Sequence, residues 1–126
     1  MLTILSSFFT PIYAQSVWYF KTTEYASAKI ENGKYTWGDW EKSDMYIIMD
    51  LGNDIIKVLS KKNQKYTVYK SYGEYTDNSG GDNLKFGVID QDGDRCEIRF
   101  RKEQNGNSQI YVDYGNCAWV YNVKRL

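Results

Sequence analysis

Chemistry needs reactive or titratable side chains held at fixed spacings, and this 126-residue chain offers few candidates. It contains no His, which removes Ser-His-Asp and Cys-His nucleophilic machinery and most zinc sites. The densest carboxylate run is Asp90-Gln91-Asp92-Gly93-Asp94. An EF-hand loop needs Gly at its sixth position and Glu at its twelfth, between two helices. Here Gly stands fourth, in a segment that reads as a polar hairpin tip. Distant Asp and Glu residues could meet across a barrel mouth as a glycosidase pair, but no spacing in the sequence selects one. The chain therefore reads as non-enzymatic and without a cofactor.

Aromatic side chains are the stronger signal, with 12 Tyr and 4 Trp. Trp37, Trp40, Tyr66, Tyr69 and Tyr72 are the candidate ligand-binding residues. With Trp18 they could line a ligand cavity or form a sugar-stacking platform. The competing reading is that they fill the interior of a small barrel, which at eight strands is only just wide enough for side chains. Sixteen Lys+Arg balance sixteen Asp+Glu. That balance argues against a nucleic-acid binder, which needs an excess of cations over phosphates, and against polybasic docking on an anionic membrane.

The elements that must position these residues are strands. Asp44–Ser60 reads as a central hairpin whose apolar arms, Met45–Met49 and Ile55–Leu59, are joined at Gly52-Asn53 by a two-residue type II′ turn. Asn32-Gly33 is a type I′ signal, and Gly38 marks a bulge or bend. Arg95–Glu103 alternates cleanly, with Cys96, Ile98 and Phe100 on one face and Arg95, Glu97, Arg99 and Arg101 on the other. No segment keeps a helical apolar period. Reversal signals near Asn32, Gly52, Asn63, Gly80, Gly93, Gly106 and Gly115 number seven, and seven reversals join eight strands. The fold class is all-β: an eight-stranded antiparallel up-and-down meander, closed or nearly closed as a calycin-like barrel. If Glu41–Ser43 is a true turn, the strands number nine. Closure would also remove sheet edges that this proline-poor chain otherwise leaves unprotected.

Cys96 and Cys117 invite a disulfide in an exported chain. In this meander they open strands separated by a third, about 9.6 Å apart, beyond the roughly 4.4–6.8 Å that a bridge requires. Two buried thiols are expected.

At the N-terminus, Leu2–Phe9 is apolar and leads through Pro11 to Ala14-Gln15. This reads as a secretory signal peptide over residues 1–14, leaving 15–126 as a single barrel-like domain that is periplasmic or secreted. The competing reading is a buried N-terminal strand or helix, since no Lys or Arg precedes the apolar run. The run is also too short for a membrane span of about 20 residues.

Gly38-Asp39-Trp40 is a Gly-x-Trp triplet, similar to that of the first lipocalin strand, although here a full strand precedes it. Phe20-Lys21-Thr22-Thr23, Trp37–Glu41, Ser43-Asp44, Met49-Asp50-Leu51, Asn53-Asp54, Tyr111–Tyr114 and Trp119–Val123 span most of the processed chain. In these runs it resembles a group of small, exported, uncharacterised proteins of gut Bacteroides-type bacteria and their crAss-like phages. The resemblance implies export and an all-β domain, and it supplies no site residues. The functional expectation is an exported binding module whose partner is a protein surface, a glycan or a small apolar molecule. The alternative is a structural component of a cell envelope or phage particle.

Overall fold

All seven reversals are present, and each joins two antiparallel neighbours. The computed structural model describes residues 17–126; the expected signal peptide, with Pro11, lies outside them. The strands are β1 (Val17–Glu31), β2 (Lys34–Trp37), β3 (Glu41–Lys42), β4 (Tyr46–Asp50), β5 (Ile55–Leu59), β6 (Gln64–Thr76), β7 (Asp82–Asp90), β8 (Arg95–Lys102), β9 (Ser108–Asp113) and β10 (Cys117–Arg125). β4 to β10 pair in sequence order, and β10 pairs with β1 from Phe20↔Arg125 to Lys29↔Cys117. The sheet is thereby closed into an eight-strand antiparallel barrel with two short extra strands, β2 and β3.

Whether Glu41–Ser43 makes a ninth strand is answered by register. Ala28 faces Trp37, Tyr25 faces Glu41 and Lys21 faces Tyr46. At each step the partner chain uses one residue more than β1. Residues 34–50 thus form one stave broken by two bulges, the first at Gly38, whose N–H donates to the Ser27 carbonyl at 2.7 Å. The second break is stitched by Thr22. Its Oγ1 accepts from the Met45 N–H at 2.8 Å and lies 2.8 Å from Ser43 Oγ, which satisfies a buried hydroxyl.

Asn32 and Gly33 have φ of 52° and 77°, the left-handed pair that a type I′ turn requires. The expected two-residue II′ turn at Gly52-Asn53 is not formed. Asp50 pairs with Ile55 across a four-residue loop, in which Leu51–Asn53 makes one 3-10 turn and Asp54 takes φ 56°. Asp50 favours this wider loop by accepting from Asn53 Nδ2 at 3.1 and 3.3 Å, and Asp tolerates the left-handed region that ends it.

The interior is occupied by one cluster that draws on every strand except β2 and β3. Trp18, Phe20 and Phe100 meet with ring centroids 5.3–6.0 Å apart. Ile47, Met49, Ile56, Leu84, Val88, Ile98 and Ile110 fill the space around them. Cys96 and Cys117 are both unbridged, as the two-strand separation implies, but only Cys96 is buried. The expectation of a buried Cys117 fails because this residue sits at the barrel rim, directly after the Gly115-Asn116 turn. Burial pushes the Cys96 thiol up to about 11.

Two measurements test this packing. Ellman's reagent should titrate one thiol in the native protein and two after unfolding. In urea denaturation, Ile47→Ala should cost about 2–5 kcal/mol, whereas Tyr46→Ala, at the exposed neighbouring position, should cost less than about 1 kcal/mol.

Candidate functional site

Antiparallel register lines up residues of one face into rows that run across the strands. On the outer face one row reads Lys85, Arg99, Tyr111, Val120 and Ala26, and the next reads Glu97, Asp113, Ala118, Ala28 and Trp37. Ala26, Ala28, Ala118 and Val120 are buried although they point away from the interior cluster. Something therefore covers this part of the outer wall. The cover is the β1–β2 hairpin: Tyr35 on β2 donates its hydroxyl to the Asp113 carboxylate on β9, reaching past β1 and β10. Tyr35 stacks on Trp37 at 6.1 Å, and Trp37 meets Tyr111 edge-on at 6.3 Å.

The result is a groove of about 740 Å³. Its floor is the small side chains Ala26, Ala118 and Val120, and its walls are Tyr35, Trp37 and Trp40 on one side and Tyr75 of β6 on the other. The volume falls within the range of small-molecule sites, about 300–1,000 Å³. Four charged groups line it and balance one another. Lys85 Nζ lies 3.2 Å from Glu97 Oε1. The Arg99 guanidinium sits 4.0 Å over the Tyr111 ring, and Asp113 is held by Tyr35. The Tyr35 hydroxyl is held above the ordinary tyrosine value, chiefly because it donates to Asp113, with burial adding to the effect.

Arg99 is aimed by a chain of polar contacts that begins in the β6–β7 turn. Arg99 Nη1 donates to Asn83 Oδ1 at 2.5 Å. The fully buried Asn83 amide donates in turn to Asp77 Oδ2 at 2.9 Å and to the Gly81 carbonyl at 3.0 Å. Asp77 also binds Arg101 Nε at 2.8 Å and the Ser79 and Gly81 N–H groups. The Arg101 hydrogen bond leads the causes that hold the Asp77 carboxyl well below the usual range.

The five aromatic residues singled out in the sequence fall in different places. Trp37 and Trp40 stand in the groove wall. Tyr66 faces the interior at 1% exposure, its hydroxyl donating to Gln64 Oε1 at 2.6 Å, so it packs the core. Tyr69 lies on the outer wall over Gly87, where an added Cβ would meet the ring at 2.9 Å, with Arg95 stacked on it at 5.0 Å. The Tyr72 ring is flanked by Lys70 at 4.7 Å and Lys85 at 5.0 Å, beside the groove. Tyr35, Tyr75, Glu97, Arg99, Tyr111 and Asp113 were not singled out. The signal that finds them is cross-strand register, counted back from the turns.

Elsewhere, the Asp90–Asp94 run is a tip held by Asp90. Its Oδ1 accepts from the Asp92 and Asp94 N–H groups, each at 2.9 Å, and its Oδ2 accepts from the Tyr114 hydroxyl at 2.7 Å. Among the described residues no three His, Cys, Asp or Glu side chains gather as a metal site. A second depression, of about 750 Å³, lies at one barrel end, where Trp18, Phe20, Phe100 and Val123 of the interior cluster form its base and Lys102, Glu103, Asn107 and Lys124 stand among the polar residues around it. It has no comparable array of exposed rings.

The Asp77 contacts have a pH signature. A carboxylate whose folded pKa is depressed stabilises the fold above its unfolded value and loses that contribution as pH falls towards the folded one. Asp77→Asn should therefore be less stable than the unsubstituted protein at pH 7. The two melting curves should converge as pH drops below about 4, as followed by thermal circular dichroism. Comparison with known proteins finds no matching family model, and neither the curated proteins nor the solved structures contain a match to this chain.

Proposed function

We propose that this protein is an exported, non-enzymatic binding module whose ligand seats in the outer groove. The observation that carries this reading is the clustering of exposed rings at one place. Tyr35, Trp37, Trp40 and Tyr75 are 42–48% exposed around a single concavity. Large aromatic groups left open to water in this way mark interaction sites, because their burial on binding is strongly favourable. Trp, Tyr and Arg are also the side chains that dominate binding energy where they cluster. The rings at the barrel-end depression, Trp18, Phe20 and Phe100, are buried in the interior cluster, so the outer wall is where exposed aromatic area gathers. Export is supported by the signal-like residues 1–14.

Intrinsic Trp fluorescence can test the reading, since Trp37 and Trp40 line the groove while Trp18 is buried. Titrations would use three probe sets: neutral oligosaccharides, fatty acids and short peptides. At least one set should shift the emission with saturation. Trp37→Ala and Trp40→Ala should each weaken that binding about tenfold or more, equivalent to about 1.4 kcal/mol, with unchanged far-ultraviolet circular dichroism. Binding that survives both substitutions, or silence from all three sets, overturns the proposal.

A further inference from the structure

The geometry points to an uncharged saccharide, a short oligosaccharide of neutral pyranose rings, as the occupant of the outer groove; this rests on the groove being the binding site. The lining chemistry excludes the other ligand classes in turn. Lys85 and Arg99 are matched in number by Glu97 and Asp113, and Lys85 is already paired with Glu97. The lining therefore carries no net charge to draw in an anionic or cationic ligand, and seating one beside Lys85 or Glu97 would break the pair these two form. A purely aliphatic ligand would strip water from four charged groups without replacing their hydrogen bonds. An extended peptide gains affinity by adding a strand to a sheet edge. Every strand of the groove floor, β7 to β10 and β1, is already paired on both sides. The open edges lie only in the walls, on the four-residue β2 and on β6 beyond Thr67, and the peptide comparator below tests them.

What the groove does offer is flat ring surface beside fixed donors and acceptors. Tyr35, Trp37, Trp40 and Tyr75 present exposed aromatic area. Close to them, Glu97 and Asp113 supply acceptors, while Lys85 and Arg99 supply donors. A pyranose has that same division: apolar C–H faces, and an equator of hydroxyls that both donate and accept. The alanine floor leaves depth for a ring to lie against the wall. Arg99 arrives pre-aimed by Asn83, so little ordering remains to oppose binding.

The test is isothermal titration of the full chain with defined probes: cellohexaose, xylohexaose, mannohexaose and maltohexaose as neutral saccharides. Hexagalacturonate, dodecanoate and an unstructured decapeptide serve as comparators. At least one neutral hexasaccharide should bind saturably, with an affinity that changes less than twofold between 0.05 and 0.5 M NaCl, because little net charge is neutralised. Trp37→Ala and Ala118→Leu, the second filling the floor, should each weaken it at least tenfold. Tyr19→Ala, at an exposed ring outside the groove lining, should leave it unchanged. If a comparator binds in a Trp37-dependent way while all four neutral saccharides are silent, the saccharide assignment falls and the groove reading stands. If nothing binds, or binding ignores Trp37 and Ala118, both fall.

Discussion

One surplus residue in β1 governs both faces of the molecule. Thr22 faces Val123 and Glu24 faces Asn122, so Thr23 is the unpaired member of a bulge in the closing ladder. It is held by its own contacts: its carbonyl accepts from the Ser43 N–H at 3.0 Å, and its hydroxyl donates to the Asn122 carbonyl at 3.3 Å. Because side chains alternate strictly along a strand, a single inserted residue reverses which face each later residue serves. Before Thr23, Trp18 and Phe20 enter the core; after it, Ala26 and Ala28 turn outward and become floor for the aromatic hairpin. Barrel packing and outer groove are two outcomes of the same irregularity.

β6 uses the same device twice. Its register against β7 slips between Val68 and Lys70 and again between Ser71 and Gly73. Tyr69 and Tyr72 are the residues left over, and both rings end on the outer wall, Tyr72 against the inward parity it would share with Tyr66 in an unbroken strand. The strands are steeply staggered as well. Val17, followed through β4 and β5, arrives at Thr67, whereas Ala28, followed the other way through β10, β9, β8 and β7, arrives at Lys70. Such stagger inclines strands to the barrel axis and brings the two longest, β1 and β6, to flank the groove.

Much of this was legible in the residues. The places of the turns were, because Asn-Gly, Asp-Gly and similar pairs encode left-handed backbone locally; Asn32-Gly33 is the clearest case, whereas Gly52-Asn53 marked the reversal but not its four-residue form. The alternation of Arg95–Glu103 was legible too, since burial on one face imposes a period of two. Bulges were not, apart from Gly38. Nothing in Thr22-Thr23-Glu24 distinguishes an inserted residue from a paired one, and the preference arises only from β10 and the broken stave opposite. The groove was half legible for the same reason. Trp37 and Trp40 stand out by type, whereas Arg99, Tyr111 and Tyr35 become neighbours only after several registers are known. Cys117 shows the limit of alternation alone: it has the parity of Trp119 and Tyr121 but lies at a rim.

The closing ladder has a temporal side. Glu24 and Asn122, which share a side-chain hydrogen bond there, are separated by 98 positions along the chain. Bringing such distant segments together costs loop-closure entropy before any contact rewards it, whereas the ladders from β4 to β10 each join strands adjacent in sequence. Until β10 docks, the long inner strand keeps an open flank of backbone donors and acceptors, a template on which other chains could pair. Closure thus rests on one long-range seam, and the β1 edge that β10 covers is the surface this polypeptide has most reason to keep paired.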